Sequence, residues 1–244
     1  MATRSAPTEH RRPGLRRALR WTGQGLALAA VLLLVWQITL LTQVIWWGRF
    51  DPESTSFMRL RLEQLREHRP EARLYQQWVP YAQISLHLKR AVIAAEDDRF
   101  VEHEGFDWEG IERALERNEK KGQAVAGGST ISQQLAKNLF LSPTRSYLRK
   151  AQEAVITVMI EALWDKRRIL EVYLNVVEWG EGVFGAEAAA QHYYGMPASQ
   201  LGPGAAARLA VMLPNPRRYE RHFGPRLAAH AERIERRMIF SQVP

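Results

Sequence analysis

Glu96 stands where an apolar run, Ala91-Val92-Ile93-Ala94-Ala95, meets the polar loop Asp97-Asp98-Arg99-Phe100-Val101-Glu102-His103-Glu104-Gly105. The run reads as the last turns of a buried helix opened by Ile84 to Arg90. Desolvation disfavours a charged carboxylate, so a glutamate that titrates at about 4.3 in water can be raised there into a general base. The same residues also suit a plain helix C-terminus followed by a solvated acidic loop. A second stretch, Gly127-Gly128-Ser129-Thr130-Ile131-Ser132-Gln133-Gln134-Leu135-Ala136-Lys137-Asn138, is dense in hydrogen-bonding groups. Its glycines allow close backbone approach. Ser129 or Thr130 can cap the following helix, and with Thr130 as the cap Gln133 completes a capping box. A helix N-terminus with free N–H groups accepts an anion, although a well-capped helix explains the same residues.

Arg145, Arg149, Lys150 and Glu153 follow. Arg149 and Glu153 are four apart and share a helix face, as in an ordinary surface salt bridge. Glu153 nevertheless leads into the most apolar stretch of the chain, which argues against full solvation. Glu171 and Asn175 share one face of the next helix in the same way.

The elements that position these groups read as mainly α. Leu148 to Trp164 is apolar at Ala151, Ala154, Val155, Val158, Met159, Ala162 and Leu163, with Ile156 and Ile160 off that stripe. A helix apolar on most faces is expected in the middle of a core. Lys166 to Val177 forms a second helix, with Ile169, Leu170, Tyr173, Leu174 and Val177 on one stripe. Phe184 to Tyr194 and Gly204 to Leu213 are Ala-rich and helical, and Pro225 to Phe240 reads as a surface helix. Phe57 to Leu62 and Trp78 to Ala82 read as short extended or irregular pieces. Phe106 to Gly122 suits a charged lid with exposed aromatics, or a solvated helix with Trp108 tucked beneath it.

The 244 residues carry a formal charge of +8 and no cysteine, which excludes disulfides and Cys-based zinc sites. The basic balance fits an anionic partner: phospholipid, nucleic acid or a phosphorylated substrate. Residues 1–20 hold six arginines against one acid, and Trp21 to Gly48 is uncharged with tryptophan at both ends. A bilayer core needs about 20 apolar residues, and no small-residue cleavage site follows. The expected order is a cytoplasmic basic tail at 1–20, a transmembrane helix at 21–48 and an external domain at 49–244. That orientation follows the positive-inside rule.

In order, these stretches resemble the motifs of glycosyltransferase family 51, the peptidoglycan glycosyltransferases. Glu96, Asp97, Phe100, His103 and Gly105 match Glu-Asp-x-x-Phe-x-x-His-x-Gly, and residues 127–138 match Gly-Gly-Ser-Thr-Ile-Thr-Gln-Gln-x-x-Lys-Asn with Ser132 in place of threonine. Arg149-Lys150-Ala151-Gln152-Glu153 matches Arg-Lys-x-x-Glu, and residues 166–175 match Lys-x-x-Ile-Leu-Glu-x-Tyr-Leu-Asn. A looser match runs from Gly180 to Tyr193-Tyr194-Gly195, with Tyr194 where phenylalanine is common. The resemblance covers about residues 90–220. Neither Ser-x-x-Lys nor Lys-Thr-Gly is found, so transpeptidation is not expected and the chain resembles the monofunctional form.

The resemblance implies a lysozyme-like helical glycosyltransferase domain behind a single N-terminal transmembrane helix. It implies polymerisation of lipid II in a bacterial inner membrane, with inversion and loss of undecaprenyl diphosphate. Glu96 is then the base, and Glu153 stands by the diphosphate. Lys137, Arg145, Arg149 and Lys150 offset the diphosphate charge, while Ser129, Thr130, Gln133 and Gln134 hold sugar and phosphate oxygens. Asp97, Phe100, His103, Gly128 and Asn138 join the substrate-binding set by the same match. A diphosphate leaving group makes Mg2+ or Mn2+ a candidate counter-charge, with no ligands assigned and no organic cofactor expected. Expected partners are lipid II, the growing glycan strand, the membrane and proteins of wall synthesis or division. Competing readings are a lysozyme-like lytic glycosidase, a non-catalytic wall-synthesis scaffold, and nucleic-acid binding motivated only by charge. The N-terminal arginines already account for much of that charge.

Overall fold

A computed structural model of the chain describes residues 13–122, 128–144 and 146–244. The chain divides into two units, the first ending at Gln43 and the second running from Val44 to Pro244. The first is the larger part of helix α1 (Pro13–Trp47), within which Arg20–Trp47 is long and apolar enough to cross a membrane. From Leu26 to Val35 its leucine and valine side chains are exposed, the condition expected of a helix whose solvent is not water.

The second unit is helical. After α1 come α2 (Ser56–His68), β1 (Tyr75–Gln76), α3 (Leu86–Glu96), α4 (Trp108–Lys121), α5 (Ile131–Phe140), α6 (Tyr147–Leu163) and α7 (Lys166–Val176). Then follow β2 (Glu178–Gly180), β3 (Val183–Phe184), α8 (Ala186–Tyr194), α9 (Pro203–Ala210), α10 (Pro216–Arg221) and α11 (Pro225–Arg237). The three short strands form one sheet in the order β1-β3-β2, with β1 parallel and β2 antiparallel to β3.

The central helix is α7. Ile169, Leu170, Val172, Tyr173, Leu174 and Val176 are all fully buried. Its polar residues serve the fold: Asn175 Oδ1 accepts from Val79 N at 2.9 Å and its Nδ2 donates to Val79 O at 3.0 Å. Asn175 thereby acts like a paired strand residue for the loop before α3. Glu171 accepts from Tyr81 N at 2.7 Å on the same face.

Two expectations are corrected. Residues 57–62 are helical, because Thr55 accepts from Met58 N at 3.1 Å as an N-cap, and Met58, Leu62 and Leu65 recur at helical spacing toward the core. Helix α6 is not central. It buries Glu153, Ile156, Thr157 and Ile160, while Val155, Val158 and Leu163 of the expected apolar stripe are exposed, Val158 by 56%. Periodicity gave two apolar faces, and the one carrying polar Glu153 and Thr157 is the one that packs. Helix α4 is the solvated helix of the two readings, yet Trp108 is 71% exposed, stacked on Phe106 with ring centroids 5.6 Å apart.

Candidate active site

The loop after Glu96 is pinned to the start of α5. Asp97 Oδ2 accepts from Ile131 N at 2.9 Å, placing a carboxylate on a helix N-terminus. Asp97 Oδ1 lies 2.8 Å from His103 Nε2, and Gly105 N donates to His103 Nδ1 at 3.1 Å, so the ring carries its hydrogen on Nε2. Thr130 caps α5 in a complete capping box with Gln133, and its hydroxyl donates to Gly105 O at 2.7 Å. Gly105 has φ +88, and a Cβ there would come within 2.8 Å of Thr157 Cγ2, so both backbone and space demand glycine.

Phe100 is fully buried beneath Lys166, whose ammonium is 4.7 Å from the ring centroid. Lys166 also donates to His103 O at 2.5 Å and to Glu161 Oε1 at 2.9 Å, and Glu161 accepts from the buried Ser132 hydroxyl. Asp97, Phe100, His103, Thr130 and Gln133, expected to bind substrate, thus have their polar groups or rings engaged inside the protein. They build the loop. Glu161 and Lys166 belong to the same scaffold and were not read from the sequence as site residues.

Glu96 ends α3, half-buried. Its Oε2 accepts from Gln134 Nε2 at 2.7 Å, and Gln134 Oε1 accepts from the Tyr173 hydroxyl at 2.9 Å. Burial pushes the Glu96 carboxyl up, against the lowering by Gln134 and Lys137. Burial, with Glu96 and Asp97 nearby, drives the Tyr173 phenol well above its ordinary value, so it stays a donor and fixes which end of the Gln134 amide meets Glu96. Tyr173→Phe is expected to cost about 1 kcal/mol of stability and about fivefold in turnover, checked by thermal melting beside a rate measurement.

Lys137 lies one turn beyond Gln134. Its ammonium is pulled down by burial and held up chiefly by Glu153, with Glu96 a smaller influence of the same sign. Glu153 is only 3% exposed and carries two cations, Arg149 Nη1 at 2.6 Å and Lys150 Nζ at 2.5 Å. The i,i+4 pair is therefore present, but at a buried carboxylate rather than on the surface. No hydrogen bond or ion pair joins Glu96 to Glu153 among the described residues. Asn138 is buried on α5, and Arg145 lies outside the described residues.

Glu96 also lines a cleft of about 490 Å3, together with Asp98, Gly128, Ser129, His230 and Arg237 among others. Gly128 backs onto Ile111, where a Cβ would approach Cγ1 to 3.1 Å. Ser129 is exposed at the cleft. His230 and Arg237 come from α11, read from the sequence only as a surface helix. Arg237 reaches Asp98 at 2.9 Å. The pattern of α11 showed its apolar side but not what its basic side faces.

For the candidate Mg2+ or Mn2+, the acidic groups of the site are already engaged among the described residues. Both Glu153 oxygens are taken by cations, both Asp97 oxygens by protein donors, and no three His, Asp or Glu groups converge among the described residues. The arrangement offers one desolvated carboxylate, a cationic cluster near it and a polar cleft that it lines. Those are the parts of a base-assisted displacement of an anionic leaving group.

Comparison with known proteins agrees with the motifs. Residues 63–242 match the family model described as Transglycosylase. A biosynthetic peptidoglycan transglycosylase of Azoarcus sp. (strain BH72) is 73% identical over 225 residues, covering 92% of this chain and 97% of that protein. One of the same description from Aromatoleum aromaticum is 66% identical over 230 residues, covering 94% and 100%. With the glutamate, the capped α5 and the cations around buried Glu153 all in family order, the chain belongs to the transglycosylase family, glycosyltransferase family 51.

Proposed function

We propose that this peptidoglycan glycosyltransferase polymerises lipid II, with Glu96 as the base. The acceptor's GlcNAc 4-hydroxyl gives its proton to Glu96 while its oxygen bonds to the donor's MurNAc C1. The C1–O bond to undecaprenyl diphosphate breaks on the opposite face, and the leaving group keeps the electron pair. An α-linked donor thus yields a β-1,4 bond. The observation that carries this reading is the Glu96 carboxylate itself: desolvated, aimed by Gln134 and Tyr173, and close enough to Lys137 to feel its charge.

Lys137, Arg149 and Lys150 take the diphosphate in this scheme, and Glu153 keeps the three cations together before substrate arrives. Arg149 is fixed and 17% exposed in its side chain, whereas Lys150 is 49% exposed and free to swing toward a phosphate. Ser129 and the cleft beside it hold the sugar. No step is routed through a divalent metal.

The helix at 20–47 is the membrane anchor in this reading, with the arginine-rich N-terminus cytoplasmic and the domain outside. The outward apolar stripe of α6, Val155, Val158 and Leu163, with Leu148 and Tyr147 at its start, supports a domain that also touches the lipid from which its substrate comes. Confining enzyme and a polyprenyl substrate to one leaflet raises their effective concentration.

Detergent-solubilised protein incubated with fluorescent lipid II is expected to give a ladder of long glycan on a gel. Fragments released from preformed glycan, with no ladder from lipid II, would make it a lytic glycosidase instead.

A further inference from the structure

Away from the Glu96 cleft, the ends of α8, α9 and α10 enclose a separate pocket of about 230 Å3, lined by Tyr193, Tyr194, Arg208, Met212, Tyr219 and Phe223 together with Glu220. Small-molecule sites run to about 300–1,000 Å3, so this one is the size for a single large side chain. Its walls are residue types enriched where proteins meet, aromatics, methionine and arginine. The polar ends are already placed. Tyr193 donates to Trp179 O at 2.9 Å, and the Arg208 guanidinium lies 4.1 Å from the Phe223 ring centroid. Glu220 is occupied too: it accepts from Glu181 N at 2.7 Å and meets His192 Nε2 at 2.8 Å.

The segment that carries Tyr219 and Phe223 is basic. From Arg217 to Arg226 the sequence carries Arg217, Arg218, Arg221 and Arg226 against the single, occupied Glu220. All four arginines are exposed, and none is in an ion pair among the described residues. Glu181, the carboxylate at that edge, pairs with Arg69 instead. Four unneutralised arginines beside an aromatic socket set a field that attracts carboxylates and a hole that takes one apolar anchor.

We propose that this face docks an acidic polypeptide segment carrying one large apolar or aromatic side chain, which enters the pocket while neighbouring carboxylates meet Arg217, Arg218 and Arg221. The surface lies outside the Glu96 machinery, so docking there would recruit the enzyme rather than alter its chemistry. A polypeptide fits better than a glycan because the pocket, at about 230 Å3, is the size of one large side chain and less than half the volume of the cleft beside Glu96.

The test uses the full-length protein in detergent and fluorescein-labelled peptides, Glu-Asp-Glu-Phe-Glu-Asp-Glu and the same peptide with alanine at its centre. Fluorescence anisotropy is expected to show at least tenfold weaker binding of the alanine peptide. The phenylalanine peptide should bind at least tenfold more weakly to Arg218→Glu/Arg221→Glu and to Tyr219→Ala, with lipid II polymerisation by the charge variant unchanged. Raising salt from 50 to 300 mM should weaken the wild-type complex, since exposed charges are screened. No binding of either peptide, equal binding of both, or displacement of the peptide by soluble glycan fragments at lower concentration would overturn the proposal. The last result would make the face a sugar site. Because polymerisation is measured separately, failure here leaves the lipid II reading standing, and the reverse holds as well.

Discussion

Glu96→Gln is expected to abolish measurable polymerisation while making the protein more stable at neutral pH. The loss should be about 10^2–10^4-fold, the range for removing a positioned general base. The stability gain has a direct physical origin. Burial raises the Glu96 carboxyl, so between its unfolded value near 4.5 and its folded value the native state binds the extra proton. Native stability therefore falls as pH rises through that window, and at pH 7 the folded protein carries an uncompensated cost for holding the carboxylate charged. Glutamine removes that cost and retains the shape. Its amide oxygen can still accept from Gln134 Nε2 after rotation of the new side chain, since Tyr173 fixes only the Gln134 end of the pair. Thermal melting at pH 7 should show the variant melting at or above the wild type, and the two curves should converge near pH 4.5. A variant that is inactive because it is unfolded would break this pattern at once.

The second large effect falls on Glu153. Glu153→Ala leaves Arg149, Lys150 and Lys137 facing one another without their shared carboxylate. Breaking a buried ion pair from one side costs about 3–5 kcal/mol. With Lys150 half exposed and able to swing into water, the lower end, about 3 kcal/mol, is expected. Chemical denaturation should show a lower midpoint with little change in slope. Activity should fall as well, because Lys137 loses the principal charge that keeps its buried ammonium protonated. A Lys137 pushed further toward its neutral form is a weaker counter-charge for a departing diphosphate. Added inorganic diphosphate should restore part of the lost stability in Glu153→Ala and far less in the wild type, because it supplies the missing negative charge.

Most of the helices, α2 excepted, and the place of Glu96 at a helix end were legible in the sequence because each depends on local pattern. An apolar run ending in glutamate, a Thr-x-x-Gln box and the stripe of α7 are all read within a few residues of chain. What stayed hidden depends on which of two faces a helix turns inward. Helix α6 has apolar residues on both, and it packs through Ile156 and Ile160, on the side they share with Glu153 and Thr157. The motif positions had a similar ambiguity. Asp97, His103, Thr130 and Gln133 look like ligand-binding groups by type, and each also makes a hydrogen bond that fixes the loop or the start of α5. Tyr173 looked like one more core residue, and only its 2.9 Å bond to Gln134 connects it to the base. No local pattern announces that a C-terminal helix will place His230 and Arg237 on the same cleft as Glu96.

The central claim, that a desolvated Glu96 takes the acceptor's proton, is tested most directly by the pH dependence of kcat/KM for lipid II polymerisation by the wild type. Rates should rise with pH through an apparent pKa above 4.5, the acid limb of a buried carboxylate that must be ionised to act. Glu96→Gln should show no such limb in whatever activity remains. A wild-type rate that is flat on the acid side, or an unchanged limb in the variant, would contradict the assignment and move the base elsewhere.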